Sequence, residues 1–133
     1  MIGLIIATHS RLAEEFLRAA EMIVGPTSNA RAVCIQREES VEEIRMEMER
    51  AIQVVGREGR GVLIMTDMLG GTPSNISLSF LKTERVEVIT GVNLPMVLKF
   101  FNIRDDLSLA ELATIVRSCG QQGITLTGDY LRN

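Results

Sequence analysis

Ile2-Gly3-Leu4-Ile5-Ile6-Ala7-Thr8-His9-Ser10 decides how this chain is read. Residues 2–7 form an apolar run with the length of a buried strand, and Thr8-His9-Ser10 reads as the turn from it into a helix. His9 is the only histidine among 133 residues. A second run, Val62-Leu63-Ile64-Met65, leads into Thr66-Asp67-Met68-Leu69-Gly70-Gly71-Thr72-Pro73-Ser74-Asn75. If both strands belong to one parallel sheet, an imidazole, a carboxylate and a nest of backbone N–H groups meet at one rim. Those are the components of a phosphoryl-accepting histidine site.

Outward from that stretch, strand and helix patterns alternate along the whole chain. A helix over 11–24 is expected to turn Leu12, Phe16, Ala19, Ala20 and Ile23 to the core, and Gly25-Pro26 ends it. A strand at 31–36 follows, then Ser40 with Glu43 three residues on as a capping box. The next helix points Val41, Ile44, Met48, Ala51, Ile52 and Val55 inward and Glu42, Arg45, Glu49 and Arg50 outward. Gly59-Arg60-Gly61 turns into a strand at 61–66. Thr72 and Pro73 fit the cap and first position of a further helix, because proline lacks an N–H that is orphaned there anyway. A strand at 85–90 alternates with charge, which places it near an edge. Gly91-Val92-Asn93-Leu94-Pro95 opens a short helix ending near Phe101. Ser108, with Glu111 at N3, caps another, Gly120 and Gly123 frame its exit, and 124–127 reads as one last strand.

Short strands alternating with amphipathic helices specify βαβ crossovers and a mostly parallel sheet covered on both faces, in one α/β domain. Ligands of such sheets bind beyond the carboxyl ends of the strands, where the strand order switches. His9, Asp67 and Gly91-Val92-Asn93 all fall at such ends.

Composition narrows the function. Hydrophobic residues make up 46% of the chain and aromatics only 4%, so a core of Ile, Leu, Val and Met is expected. Met46, Met48, Met65, Met68 and Met96 read as core or cleft filler. The net charge of −3 and the absence of a basic tract disfavour nucleic acid. Cys34 and Cys119 are too far apart for a redox or zinc motif, and Cys34 reads as a small buried hydrophobe. No signal peptide is evident, and no apolar stretch approaches the roughly 20 residues of a membrane span. A reduced, cytoplasmic protein is expected.

Neutral imidazole is a good nucleophile toward phosphorus if one ring nitrogen is exposed and the other is held by an acceptor. Asp67 supplies that acceptor and compensates the positive charge that builds on the ring. The glycines at 70 and 71 let backbone approach an anion, and Thr72 and Ser74 add hydroxyl donors. The run is not a nucleotide P-loop, since the Lys-Ser/Thr ending is absent. Rival readings remain at this point. A receiver domain would be phosphorylated on Asp67, but it wants metal-binding carboxylates where Thr8-His9-Ser10 stands. A serine hydrolase using Ser10 or Ser74 lacks a nucleophile elbow. A metal centre lacks a ligand set, and a pure interaction module would leave His9 without a role.

Gly3-Leu4-Ile5-Ile6-Ala7-Thr8-His9, Thr66 to Asn75 and Gly91-Val92-Asn93-Leu94-Pro95-Met96, in that order, carry a close likeness. The chain resembles the mannose-family IIA domain of the bacterial phosphoenolpyruvate:sugar phosphotransferase system, over essentially its whole length. The run from Asp67 to Asn75 fits this pattern better than the related phosphoryl domain of dihydroxyacetone kinases. The resemblance implies that His9 accepts a phosphoryl group from the phosphocarrier HPr and passes it to a histidine of a IIB protein, with no cofactor. It implies that Asp67 orients the imidazole, that Thr66, Gly71, Thr72 and Ser74 line the phosphoryl pocket, and that Ser10, Met68, Leu69, Asn93 and Met96 form the partner surface. It implies a doubly wound sheet of four parallel strands in order 2-1-3-4, with a final antiparallel strand, matching Gly123 to Gly128, exchanged within a homodimer. Members often carry glycine directly after the active histidine; here Ser10 stands there, and its hydroxyl is expected to cap the first helix. The sequence stops at Asn133 without the linker and IIB domain of many relatives, so donation to a separate IIB protein, or a regulatory relay, is expected.

Overall fold

A computed structural model describes residues 1–82 and 85–132; Thr83, Glu84 and Asn133, the last residue of the expected domain, lie outside it. The element order is β1 (Gly3–His9), α1 (Leu12–Val24), β2 (Ala30–Ile35), α2 (Val41–Val55), β3 (Val62–Thr66), α3 (Thr72–Leu78), β4 (Val86–Thr90), α4 (Leu94–Ile103), α5 (Leu109–Gln122) and α6 (Thr127–Arg132). The strands form one sheet in the order β2-β1-β3-β4. All three pairings are parallel, with Ala7 opposite Thr66 and Thr66 opposite Thr90. The charged alternation of β4 is thereby explained, since it is an edge strand.

Period-2 alternation splits the strand side chains between two cores. Leu4, Ile6, Leu63 and Met65 pack with Ala13 and Ala20 of α1, Phe100 of α4, and Leu112 and Val116 of α5. Ile5, Ala7, Val33, Ile35, Val62 and Ile64 pack with Ile44, Met48 and Val55 of α2 and with Ile76 of α3. The central strands β1 and β3 are buried on both faces, which is why they read as unbroken apolar runs. The helices that follow them, α1 and α3, lie on opposite faces. The gap between the ends of β1 and β3 is therefore the switch point of this sheet.

Several local expectations are corrected. The inward face of α1 is Ala13, Phe16, Leu17 and Ala20, while Leu12 and Ile23 are exposed. The shift follows from the helix start: its first turn sits at the rim, so Leu12 clears the edge of the sheet. Val41 is exposed for the same reason. In α3 the cap is Gly71, with Thr72 and Pro73 inside the first turn, one position later than expected. Ser40 caps α2 by accepting from Glu43 N–H at 3.1 Å, and Ser108 with Glu111 forms a full capping box on α5. Gly120 lies inside α5 rather than beyond it, where a Cβ would come within 2.5 Å of Met96 Cγ. The segment expected as a last strand is not one within this chain: 124–126 has no regular structure and Thr127 opens α6.

Candidate active site

β1 ends on His9 and β3 delivers Asp67 one residue beyond its last pair, so the parallel register brings both to the same rim of the sheet. Asp67 Oδ2 accepts from the His9 backbone N–H at 3.0 Å and lies 2.7 Å from His9 Nδ1. Asp67 Oδ1 accepts from Met68 N–H at 3.0 Å. Both carboxylate oxygens are thus engaged. The side chain of His9 is 50% exposed and that of Asp67 15%.

The chemistry of the pair follows from these contacts. An ionised carboxylate only accepts hydrogen bonds, so the proton of neutral His9 resides on Nδ1. That leaves Nε2 with its lone pair on the open side of the ring. Burial pushes the Asp67 carboxyl up, but the hydrogen bonds from the His9 backbone N–H and imidazole, and the attraction to that ring, outweigh it. The carboxyl is held below its ordinary range and stays charged beside the ring.

Gly71 passes directly against the imidazole. A Cβ there would lie 2.8 Å from His9 Cε1 and 3.3 Å from Nε2. Its φ of −80° suits any residue, so close approach, not backbone freedom, is what requires glycine. Gly70, at φ 87°, makes the turn that brings Gly71 there.

The neighbouring residues divide by depth. Thr72 is exposed at the start of α3, whose first N–H groups have no intrahelical acceptor. Thr66 and Ser74, expected to line a phosphoryl pocket, are fully buried, and neither hydroxyl has a hydrogen-bond partner among the described residues. Thr66 shares the sheet face of Val62 and Ile64, and so points under α3 rather than out of the rim. Met68 and Leu69 project from the loop at 57% and 71% exposure. Met96, expected on the partner surface, is only 3% exposed and packs against Gly120. Asn93 is half-buried, and its side chain is committed to the fold: Oδ1 accepts from Met96 N–H and Nδ2 donates to the Gly120 carbonyl.

Ser10 does not cap α1. That role falls to Thr8, whose Oγ1 accepts from Ala13 N–H at 2.7 Å. Ser10 instead adopts a φ of 53°, in the left-handed region. Glycine would take this backbone conformation without steric cost, a constraint that residue-type reasoning about capping missed. Leu12 and Val41 were also missed: both are exposed at the rim because the helices carrying them begin there.

Among the described residues, no helix is long and apolar enough to cross a membrane, and no three His, Cys, Asp or Glu side chains gather as a metal site.

Comparison with known proteins adds the following. The family model of the PTS system fructose IIA component matches residues 3–117. The fructose-specific EIIA component of the PTS system of Bacillus subtilis is 29% identical over 132 residues, covering 98% of this chain and 90% of that protein. The mannose-specific EIIAB component of Escherichia coli K12 is 34% identical over 125 residues, covering 92% of this chain but 38% of the longer protein. The crystal structure of a phosphotransferase system component EIIA from Streptococcus agalactiae superposes with a TM-score of 0.88 at 24% identity, over 97% of this chain and 99% of that one, a likeness of fold.

Proposed function

The chain belongs to the family of mannose- and fructose-type IIA components of the phosphotransferase system, and from that premise we propose that it is a phosphohistidine carrier working through His9. The observation that carries the reading is the 2.7 Å contact of Asp67 Oδ2 with Nδ1 of a half-exposed imidazole. In the proposed step, the Nε2 lone pair attacks the phosphorus of a phosphohistidine on HPr. The new N–P bond forms as the donor's N–P bond breaks, and the donor ring nitrogen leaves with that electron pair. Positive charge spreads over the His9 ring toward Nδ1–H, where the Asp67 carboxylate meets it. The reverse chemistry passes the group to a histidine of a IIB protein.

Gly71 leaves room beside Nε2 for the transferred group, and the Thr72 hydroxyl with the free N–H groups of α3 faces its oxygens. Exposed Val41 on the cleft that His9 lines, and exposed Met68 and Leu69 on the loop that carries Gly71 against the ring, offer apolar surface beside the imidazole that suits docking of a folded protein rather than a small substrate. The receiver-type alternative is poorly supported, because Asp67 has neither oxygen free to attack phosphorus.

The chain is further proposed to act in the cytoplasm as a homodimer, serving sugar uptake or a related relay. Two features support pairing. The outer edge of β4 has no strand beside it among the described residues, and a groove of about 520 Å³ runs between that edge and α5. Ile124, Leu126, Tyr130 and Leu131, in and around α6, are all exposed, as an arm that crosses to a second copy would require.

The test is a two-step relay. Chain loaded from phospho-HPr and then purified is expected to transfer its phosphoryl group to a mannose-family IIB protein, and His9→Ala to do neither step. Loading of His9→Ala to one group per chain contradicts the proposal.

A further inference from the structure

Beside His9 opens a cleft of about 540 Å³, and Arg37 of the loop between β2 and α2 forms part of its wall. Ile35, Val41 and Ile44 supply apolar lining. Among the lining residues Arg37 is the one permanent cation. Its guanidinium has neither a hydrogen bond nor an ion pair among the described residues. Arg11 and Arg18 are committed to Glu14, Arg45 to Ser79 Oγ and Arg104 to Ser28; Arg31, Arg57, Arg85 and Arg117 are as open as Arg37 but do not line the cleft beside His9. The one carboxylate lining the cleft, Glu39, is held to its own loop, where Oε1 accepts from Gln36 N–H at 2.8 Å, and it makes no ion pair with Arg37.

We propose that Arg37 is the phosphoryl-holding cation of this protein, its guanidinium binding the oxygens of the group carried on His9 Nε2. The inference rests on the phosphocarrier reading above and adds to it a side chain of the reacting site. The need is electrostatic. A phosphoryl group on Nε2 brings up to two negative charges to a ring already flanked by the Asp67 carboxylate. Hydroxyls and N–H groups offer partial charges only. A planar guanidinium presents two parallel donors that match two phosphoryl oxygens, and an apolar wall strengthens that attraction. An arginine held by a carboxylate would be unavailable for this, and Arg37 is not so held.

The consequence is read in the equilibrium of the loaded chain. The exchange forms one N–P bond on His9 and breaks one on HPr, so a cation that binds the group only on this chain shifts the balance toward the loaded chain. Arg37→Ala is expected to lower the equilibrium constant for transfer from phospho-HPr about tenfold, the effect of one partly exposed charge-assisted contact. Arg37→Lys, which keeps the charge and loses the fork, is expected to fall between. In the isolated phosphoprotein, followed by phosphorus NMR, the second phosphoryl pKa is expected to rise in Arg37→Ala. Arg37 is exposed in a loop, so both variants are expected to fold, with melting temperature as the control. An equilibrium constant within twofold of wild type together with an unmoved phosphorus titration overturns the assignment. So does an effect confined to transfer rate at low HPr, which marks a contact with the donor protein instead. If wild-type chain takes no group on His9, the carrier reading falls and this inference with it; if wild type loads and Arg37→Ala matches it, only the role of Arg37 falls.

Discussion

Replacing Asp67 by asparagine preserves the shape of the side chain and removes two things at once. The first is charge. Opposite unit charges about 4 Å apart at an effective dielectric near 20 attract by about 4 kcal/mol. The His9 side chain is 50% exposed, and only part of a unit charge has developed on it at the transition state. Halving for both leaves about 2 kcal/mol, or about thirtyfold in rate. The second loss is tautomer control. Asp67 receives two N–H groups at Oδ2 and one at Oδ1. An amide has one accepting oxygen. With that oxygen toward His9, the amide NH2 meets Met68 N–H, donor against donor. Flipped, it meets the His9 N–H and draws the ring proton to Nε2, blocking the nucleophile. Either arrangement costs about 1 kcal/mol of stability through an unsatisfied N–H. The assay is single-turnover rapid quench with labelled phospho-HPr below saturation, alongside a thermal melt. A fall of between tenfold and a hundredfold in a folded variant is expected. A rate within twofold of wild type refutes the reasoning.

Other variants probe the same rim. Gly71→Ala places a methyl 2.8 Å from His9 Cε1 and is expected to cut loading at least tenfold while costing only about 1 kcal/mol of stability, since the ring can swing to solvent; loading assays paired with melts check this. Ser10→Gly removes a left-handed φ of 53° worth about 1–2 kcal/mol. It adds about 0.4–1 kcal/mol of unfolded-state entropy, so stability is expected to rise by up to about 1 kcal/mol in denaturant titrations. The Asp67 carboxyl is lower in the folded state than unfolded, so the unfolded chain binds the extra proton between the two values. Its contribution is therefore complete above about pH 4 and is lost as pH falls through the folded value. Asp67→Asn is expected to flatten that acid limb, as read by unfolding free energies from pH 6 downward.

Much of this architecture was legible because its signals are local or periodic. The unbroken apolar runs of β1 and β3 announce strands buried on both faces, and the charges in β4 announce an edge. His9 and Asp67 could be paired in advance because adjacent parallel strands bring their following residues to the same end. What the sequence did not disclose depends on side chains meeting across distance. Met96 is core or cleft filler by residue type and partner surface by its motif, and the packing of α4 on Gly120 in α5 decides for the core. Ser74 looks like an anion donor, but one turn of α3 rotates it toward the sheet. Ser10 looks like a cap, whereas a left-handed backbone passes that duty back to Thr8. The alternating apolar and polar residues at 124–127 suit a strand, yet within one chain they find no strand to pair with.

The central claim is that Asp67 fixes the proton on Nδ1 and leaves Nε2 to carry the phosphoryl group. The most direct measurement is nitrogen–phosphorus correlated NMR of 15N-histidine-labelled chain after incubation with phosphoenolpyruvate, enzyme I and HPr, in alkali. The expected result is one phosphohistidine, on Nε2 of His9. Phosphorus on Nδ1, or an alkali-labile label on Asp67, contradicts it.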